Sequence, residues 1–168
     1  MFIRQAVPND TPEIASLFFN CLQISYAGVL SEEVRRTVDL EYSLQLWSNA
    51  LGSNPDRQTF VALEEDQLVG FYRIGPENEK SSMGHLFSLY ISPKFGGQGI
   101  GSKLLLKALH GLEARGFSEI SLWVFADNKA AIGLYRKFGF DITNDCRTSD
   151  VWKAIEVKMI RNGNLGYR

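Results

Sequence analysis

LFSLYISPKFGGQGIGSKLL, residues Leu86–Leu105, holds a strand, a glycine corner and a helix start in one run. Leu86 to Ile91 is an apolar run of strand length, and Ser92-Pro93 ends it. Gly96, Gly97, Gly99 and Gly101 then fall within six positions, before a helical pattern resumes. Glycine at that density weakens the chain, so bare backbone must serve a purpose. Unpaired N–H groups at a helix start, aligned with the helix dipole, hold anions well. The corner therefore reads as a phosphate-binding turn between a strand and a helix.

Outward from that corner, the helix is expected from about Gly99 to Arg115. Ile100, Leu104, Ala108 and Leu112, joined by Leu105 and Leu109, make its apolar stripe. Upstream, Phe60–Leu63 and Leu68–Tyr72 flank the acidic turn Glu64–Gln67, which is a hairpin pattern. Phe2–Val7 reads as a first strand. Thr11 is the expected N-cap of a helix with Pro12 at its first position, and Ile14, Leu17, Phe18, Cys21 and Leu22 share one face. Ser31-Glu32-Glu33 starts a second helix, and Leu40, Leu44, Trp47 and Leu51 continue a helical stripe after a break. Downstream come a strand over Ile120–Phe125, a short helix over Asn128–Phe138, and strands over Gly139–Thr143 and Val151–Ile160. The tail Asn162–Arg168 reads as loose.

The chain has 168 residues, 45% of them hydrophobic, which suits one domain spanning 1–168 with an adequate core. Eighteen basic residues face nineteen acidic ones, and no basic run reaches five, so nucleic acid is not the expected partner. No apolar stretch approaches a membrane span, and Met1-Phe2-Ile3-Arg4 reads as the opening of a strand rather than a signal peptide. Cys21 and Cys146 lack metal-type spacing and read as free thiols in a reducing cytoplasm, with no metal site.

Three phosphate motifs compete for the corner. The dinucleotide fingerprint G-x-G-x-x-G fails, because Gly97-Gln98-Gly99-Ile100-Gly101 is one residue short and the preceding topology is wrong. The P-loop fails because Ser102-Lys103 stands in reverse order. The corner instead resembles the coenzyme A loop [Q/R]-x-x-G-x-[G/A] of the GNAT N-acetyltransferase superfamily. Gly99 and Gly101 fill its two small positions, and Gly96 stands where the family usually has Arg or Gln. That departure removes a side-chain contact to the diphosphate and leaves the backbone cradle of Gly97, Gln98, Gly99, Ile100, Gly101 and Ser102. A second stretch, Asn128–Phe140, is similar to the family's N-x-x-A-x-x-x-Y-x-x-x-G-F, with Asn128, Ala131, Tyr135, Gly139 and Phe140 all matching. Two motifs in the right order are more specific than either alone.

The resemblance implies an α/β fold: a mixed, mostly antiparallel twisted sheet flanked by helices, with two central strands splayed by a bulge. It implies acetyl-CoA as co-substrate, with pantetheine lying along Leu89, Tyr90 and Ile91 and a backbone N–H near Leu89 facing the acetyl oxygen. It implies transfer to a primary amine, on a small molecule or a peptide, by direct attack in a ternary complex. A non-catalytic acyl-CoA-binding module is the alternative, and homodimers are common in the family. Tyr135 is the expected general acid, since a phenol with a pKa of about 10 keeps its proton at neutral pH. Asn128 caps its own helix and, in the family, also touches the coenzyme. The family often places a carboxylate base near the start of the fourth strand, and by position that residue here is His85. The acceptor side is expected around Ser25–Leu30, Tyr72 and Asn144–Asp150, with Asp150, Glu77 and Glu79 as candidate carboxylates.

Overall fold

A computed structural model describes residues 1–163. Its centre is one seven-stranded sheet, formed by β1 (Phe2–Gln5), β2 (Gln58–Glu64), β3 (Gln67–Pro76), β4 (Gly84–Ile91), β5 (Glu119–Phe125), β6 (Asp141–Thr148) and β7 (Ile155–Asn162). The spatial order is β1-β2-β3-β4-β5-β7-β6. Every neighbouring pair is antiparallel except β4 and β5, which run parallel. The exception follows from connectivity: a parallel pair needs a crossover, and helix α4 (Ile100–Ala114) supplies it.

Helices cover both faces. On one face lie α4 and α5 (Lys129–Lys137), where Leu104, Leu105, Ala108, Leu109 and Leu112 lie over β3 and β4 and share one core with Ile74, Leu86, Ile120, Leu122 and Val124. The leucines are fully buried, and each such side chain contributes about 1.5–3 kcal/mol of hydrophobic stabilisation, so α4 is anchored along its whole length. On the other face lie α1 (Thr11–Asn20) and α3 (Leu40–Gly52), whose Ile14, Phe18 and Trp47 pack on Val61 and Phe71. The short α2 (Glu32–Arg36) starts as expected, with the Ser31 hydroxyl accepting from the Val34 N–H. The expected break before α3 is real, and Asp39 caps the new helix by accepting from Tyr42 N–H at 2.7 Å.

Several boundaries differ from the sequence expectation for identifiable reasons. Asp10, not Thr11, is the residue before α1; Pro8–Asp10 form a 3₁₀ turn, and the Asp10 carboxylate is taken by Arg4 and the Val7 N–H. Thr11 donates its hydroxyl back to the Pro8 carbonyl. Strand β6 extends through Thr148 although its sequence, DITNDCRT, is mostly polar. It is an edge strand with both faces mostly exposed, so no alternation marks it. Strand β7 begins at Ile155 because residues 149–154 form a turn, in which Lys153 takes a positive φ of 49°. Asn162, expected in a loose tail, closes β7 opposite Glu119; residues 164–168 of that tail lie outside the described residues.

Candidate active site

The parallel pair is closed at one end and open at the other. Gly84, His85 and Leu86 pair with Ile120, Ser121 and Leu122, and among the described residues the pairing stops there. The cause is in β4's other partnership. Arg73 of β3 faces Ser88 and Ile74 faces Leu86, which leaves Phe87 as an unopposed extra residue. Such a bulge bends its strand and ends regular pairing. Past it, β4 stays on β3, with Tyr72, Phe71 and Gly70 opposite Leu89, Tyr90 and Ile91. The β5 side stays on β7, so a gap opens between the two halves of the sheet.

Two hollows occupy that gap. One, of about 460 Å³, is lined by Leu89, Tyr90 and Ile91, by the corner residues Gly96, Gly97, Gly99, Ile100 and Gly101, and by Ala131, Leu134 and Tyr135. The other, of about 130 Å³, lies beyond the strand split and includes Phe87, Ser88, Trp123, Trp152 and Glu156 in its wall. Tyr26, Leu89, Tyr90, Asn128, Ala131 and Tyr135 line both. The two motifs read from the sequence thus meet at one junction, while Gln98 and Ser102 lie outside the lining of either hollow.

The corner has the geometry of an anion cradle. Gly97 and Gly99 adopt φ of 76° and 77°, a left-handed conformation that disfavours side chains. Gly99 is the N-cap of α4, and no side chain caps that end. The first N–H groups of a helix have no intrahelical acceptor, so they remain available to a ligand. Gly101 is packed differently: a Cβ there would sit 3.5 Å from Ile91 and Leu134 atoms, so alanine would also fit. Gly96 has ordinary extended backbone, φ −61° and ψ 148°, with room for a Cβ. No conformational need explains glycine at that position.

Tyrosines converge at the junction. Tyr135 is buried on α5, edge-on to Phe140, and burial holds its phenol above the ordinary value. Its hydroxyl has no hydrogen-bond partner among the described residues. Burial also raises Tyr26 and Tyr90, whose rings lie 6.1 Å apart. Asn128 caps α5, its side chain accepting from the Ala131 N–H at 3.1 Å. Cys21 lines the larger hollow, although it belongs to neither motif. Its thiol donates to the Ile91 carbonyl at 3.1 Å, and burial pushes its pKa up to about 12, which keeps it protonated and poorly nucleophilic.

His85 sits in the closed half and lines neither hollow. Its Nδ1 is 2.7 Å from the Ser121 hydroxyl, which in turn donates to Glu77 at 3.0 Å. A hydroxyl has one proton to give, so with that proton on Glu77 the Nδ1–H of His85 is the donor to Ser121. Burial lowers the His85 pKa to about 4, against the pull of the Glu77 charge. Lys158 of β7 reaches Glu77 at 2.6 Å. Burial would raise the Glu77 carboxyl, but the hydrogen bonds from Lys158 and Ser121 and the nearby positive charge outweigh it, and the net direction is down. Three strands and the loop after β3 are tied together where the strands are still paired.

Of the segments expected to form an acceptor side, Ser25–Leu30 contributes Tyr26 to the smaller hollow, whereas no residue of Asn144–Asp150, Asp150 included, lines it; Trp152, just beyond that stretch, does. Tyr72 instead stacks on Phe60 at 5.1 Å within the core under α4. Glu156, which the sequence did not single out, is the acidic residue in the smaller hollow. Its signal lies in the alternation of β7, where Glu156 and Lys158 stand opposite Phe125 and Trp123. Among the described residues no group of three or more His, Cys, Asp or Glu gathers to hold a metal ion. No helix among them is long and apolar enough to cross a membrane.

The pattern of the Acetyltransferase (GNAT) family matches residues 20–140. A mycothiol acetyltransferase of Mycolicibacterium gilvum is 38% identical over 92 residues, covering 51% of this chain and 30% of that protein. The chain therefore spans under a third of that relative's length. A probable N-acetyltransferase of Mycobacterium tuberculosis is 28% identical over 172 residues, covering 99% of this chain and 91% of that protein. In fold, the chain is similar to the PaiA N-acetyltransferase of Thermoplasma acidophilum, solved in complex with coenzyme A. The TM-score is 0.77 at 24% identity, over 96% of this chain and 98% of that one.

Proposed function

Because the chain belongs to the GNAT acetyltransferase family, we propose that it transfers the acetyl group of acetyl-CoA to a primary amine by direct attack while both are bound. The observation that carries this reading is the junction itself. An uncapped glycine corner and a parted strand pair border one hollow, a second hollow adjoins it, and Tyr135 lines both.

The residues fit such a co-substrate. The N–H groups of Gly97 to Gly101 and the α4 dipole suit a diphosphate. The unpaired edges of β4 and β5 suit the amides of a pantetheine arm, since backbone groups inside a sheet seek partners. Acetyl-CoA supplies an activated acetyl thioester. A free N–H of the bulged strand near Leu89 serves the acetyl oxygen as charge develops there. The Tyr135 phenol keeps its proton at neutral pH and gives it to the departing sulfur. A free thiol has a pKa of about 8.5, below a phenol's, but the dry cleft that raises the phenol also raises the proton affinity of a thiolate. The amine attacks in its neutral form, so a bound ammonium first gives a proton to water, and the proton its nitrogen sheds as the amide forms restores the Tyr135 phenol. In this reading His85 keeps the closed half in register and does not take the amine's proton directly.

The test is release of free thiol from acetyl-CoA across a panel of primary amines, with mass spectrometry of the products. Amine-dependent release with an N-acetylated product is expected. Tight acetyl-CoA binding with no release for any amine would leave only a binding module.

A further inference from the structure

The smaller hollow carries more than room for an acceptor. Glu156 stands on β7 opposite Phe125, close to the open mouth of the strand pair. Only 12% of its side chain is exposed, and its Oε2 accepts from Arg147 Nε at 2.7 Å. Among the described residues no hydrogen bond engages its Oε1. Arg147, on the edge strand, stacks its guanidinium 4.2 Å from the centre of the Trp123 ring, which pins the pair in place. The rest of the wall includes Trp123, Trp152, Tyr26 and Phe87. A hollow of about 130 Å³ has room for the head of a small amine.

Resting on the transfer reading above, we propose that the acceptor is a small primary amine without a carboxylate beside its nitrogen, whose ammonium docks on Glu156 Oε1 between the aromatic walls. A half-satisfied, mostly buried carboxylate favours a cationic donor over water. Aromatic faces add attraction for the same charge and cover the amine's carbon body. An α-amino acid brings a second anion to the site, where Glu156 repels it. Arg147 offsets only part of that repulsion: its Nε is bonded to Glu156, and the rest of its guanidinium lies on Trp123 half exposed, where solvent screens its charge.

The test is calorimetric binding of phenethylamine and of phenylalanine to the coenzyme A-saturated protein at neutral pH, in the wild type and in Glu156→Gln and Glu156→Asp. The wild type is expected to bind phenethylamine at least tenfold more tightly than phenylalanine, the size of a charge-assisted hydrogen bond. Glu156→Gln, which preserves shape and can still accept from Arg147, is expected to lose that preference. Glu156→Asp is expected to keep part of it, and coenzyme A affinity stays constant in all three. Equal binding of the two probes, no binding of phenethylamine, or a preference that survives Glu156→Gln overturns the proposal. Binding without any turnover would instead sink the transfer reading and leave this site standing. Turnover of amines independent of Glu156 would do the reverse.

Discussion

The two halves of the β4–β5 pair belong to the same two strands, yet they serve opposite ends. In the closed half, Gly84–Leu86 pair with Ile120–Leu122, and Glu77, His85, Ser121 and Lys158 tie three strands and the loop after β3 together through side chains. In the open half, Phe87 bulges out and the backbone edges part, flanked by Tyr26, Tyr90 and Tyr135. A sheet gap is costly unless something holds it open and something else fills it. The polar network holds the strands together just below the gap, and the packing of α4 on one face keeps both halves in one body. The lesson is that a functional opening in a sheet depends on a well-fastened neighbour.

The comparison breaks most readily at Tyr135. Tyr135→Phe removes the hydroxyl while keeping the ring against Phe140. On the proposed role, kcat falls about 10²–10⁴-fold, the usual range for a lost general acid or base. Acetyl-CoA affinity by calorimetry stays the same. Unchanged turnover would pass the acid role to Tyr26, whose side chain also borders both hollows.

The closed half predicts a pH effect instead. His85 is held neutral, with a folded pKa of about 4 against an ordinary value of about 6.5. Between those values the unfolded chain binds more protons than the folded one, so stability falls as pH drops from 6.5 to 4. The loss amounts to on the order of 3 kcal/mol over that window. Glu77 acts in the same sense below the usual carboxylate range, because its folded pKa is depressed. His85→Gln is expected to flatten the upper window in urea denaturation measured at a series of pH values. A wild-type curve already flat from 6.5 to 4 would contradict the lock.

The smallest expected effect is a gain. Gly96 stands where the family usually has Arg or Gln, and its backbone already has a conformation any residue adopts. Gly96→Arg adds a charge beside the cradle, and a solvent-exposed pairing is worth up to about 1 kcal/mol. Acetyl-CoA should therefore bind up to about fivefold more tightly, more so at low salt, with the melting temperature of the unliganded protein unchanged. Weaker binding would mean that the diphosphate does not pass Gly96.

Much of this site could be read from short stretches. Gly97, Gly99, Asn128 and Tyr135 announced themselves because helix caps, left-handed turns and helical spacing are set by neighbours in the chain. Glu156 did not, because its meaning depends on pairing with β5 and on Arg147 coming across from β6. The polar edge strand β6 was underestimated for a related reason: with little to bury, it shows no alternation. Cys21 lies far from both motifs in sequence yet borders the larger hollow, through the packing of α1 on the sheet.

Local chemistry in the chain was enough to specify the helices, the hairpin, the glycine turn and the family resemblance, since each rests on contacts within a few residues. Where β4 and β5 separate, which carboxylate lines the smaller hollow and why His85 is locked away were settled by folding. Those features depend on strand register and burial, which arise when residues distant in the chain are brought side by side.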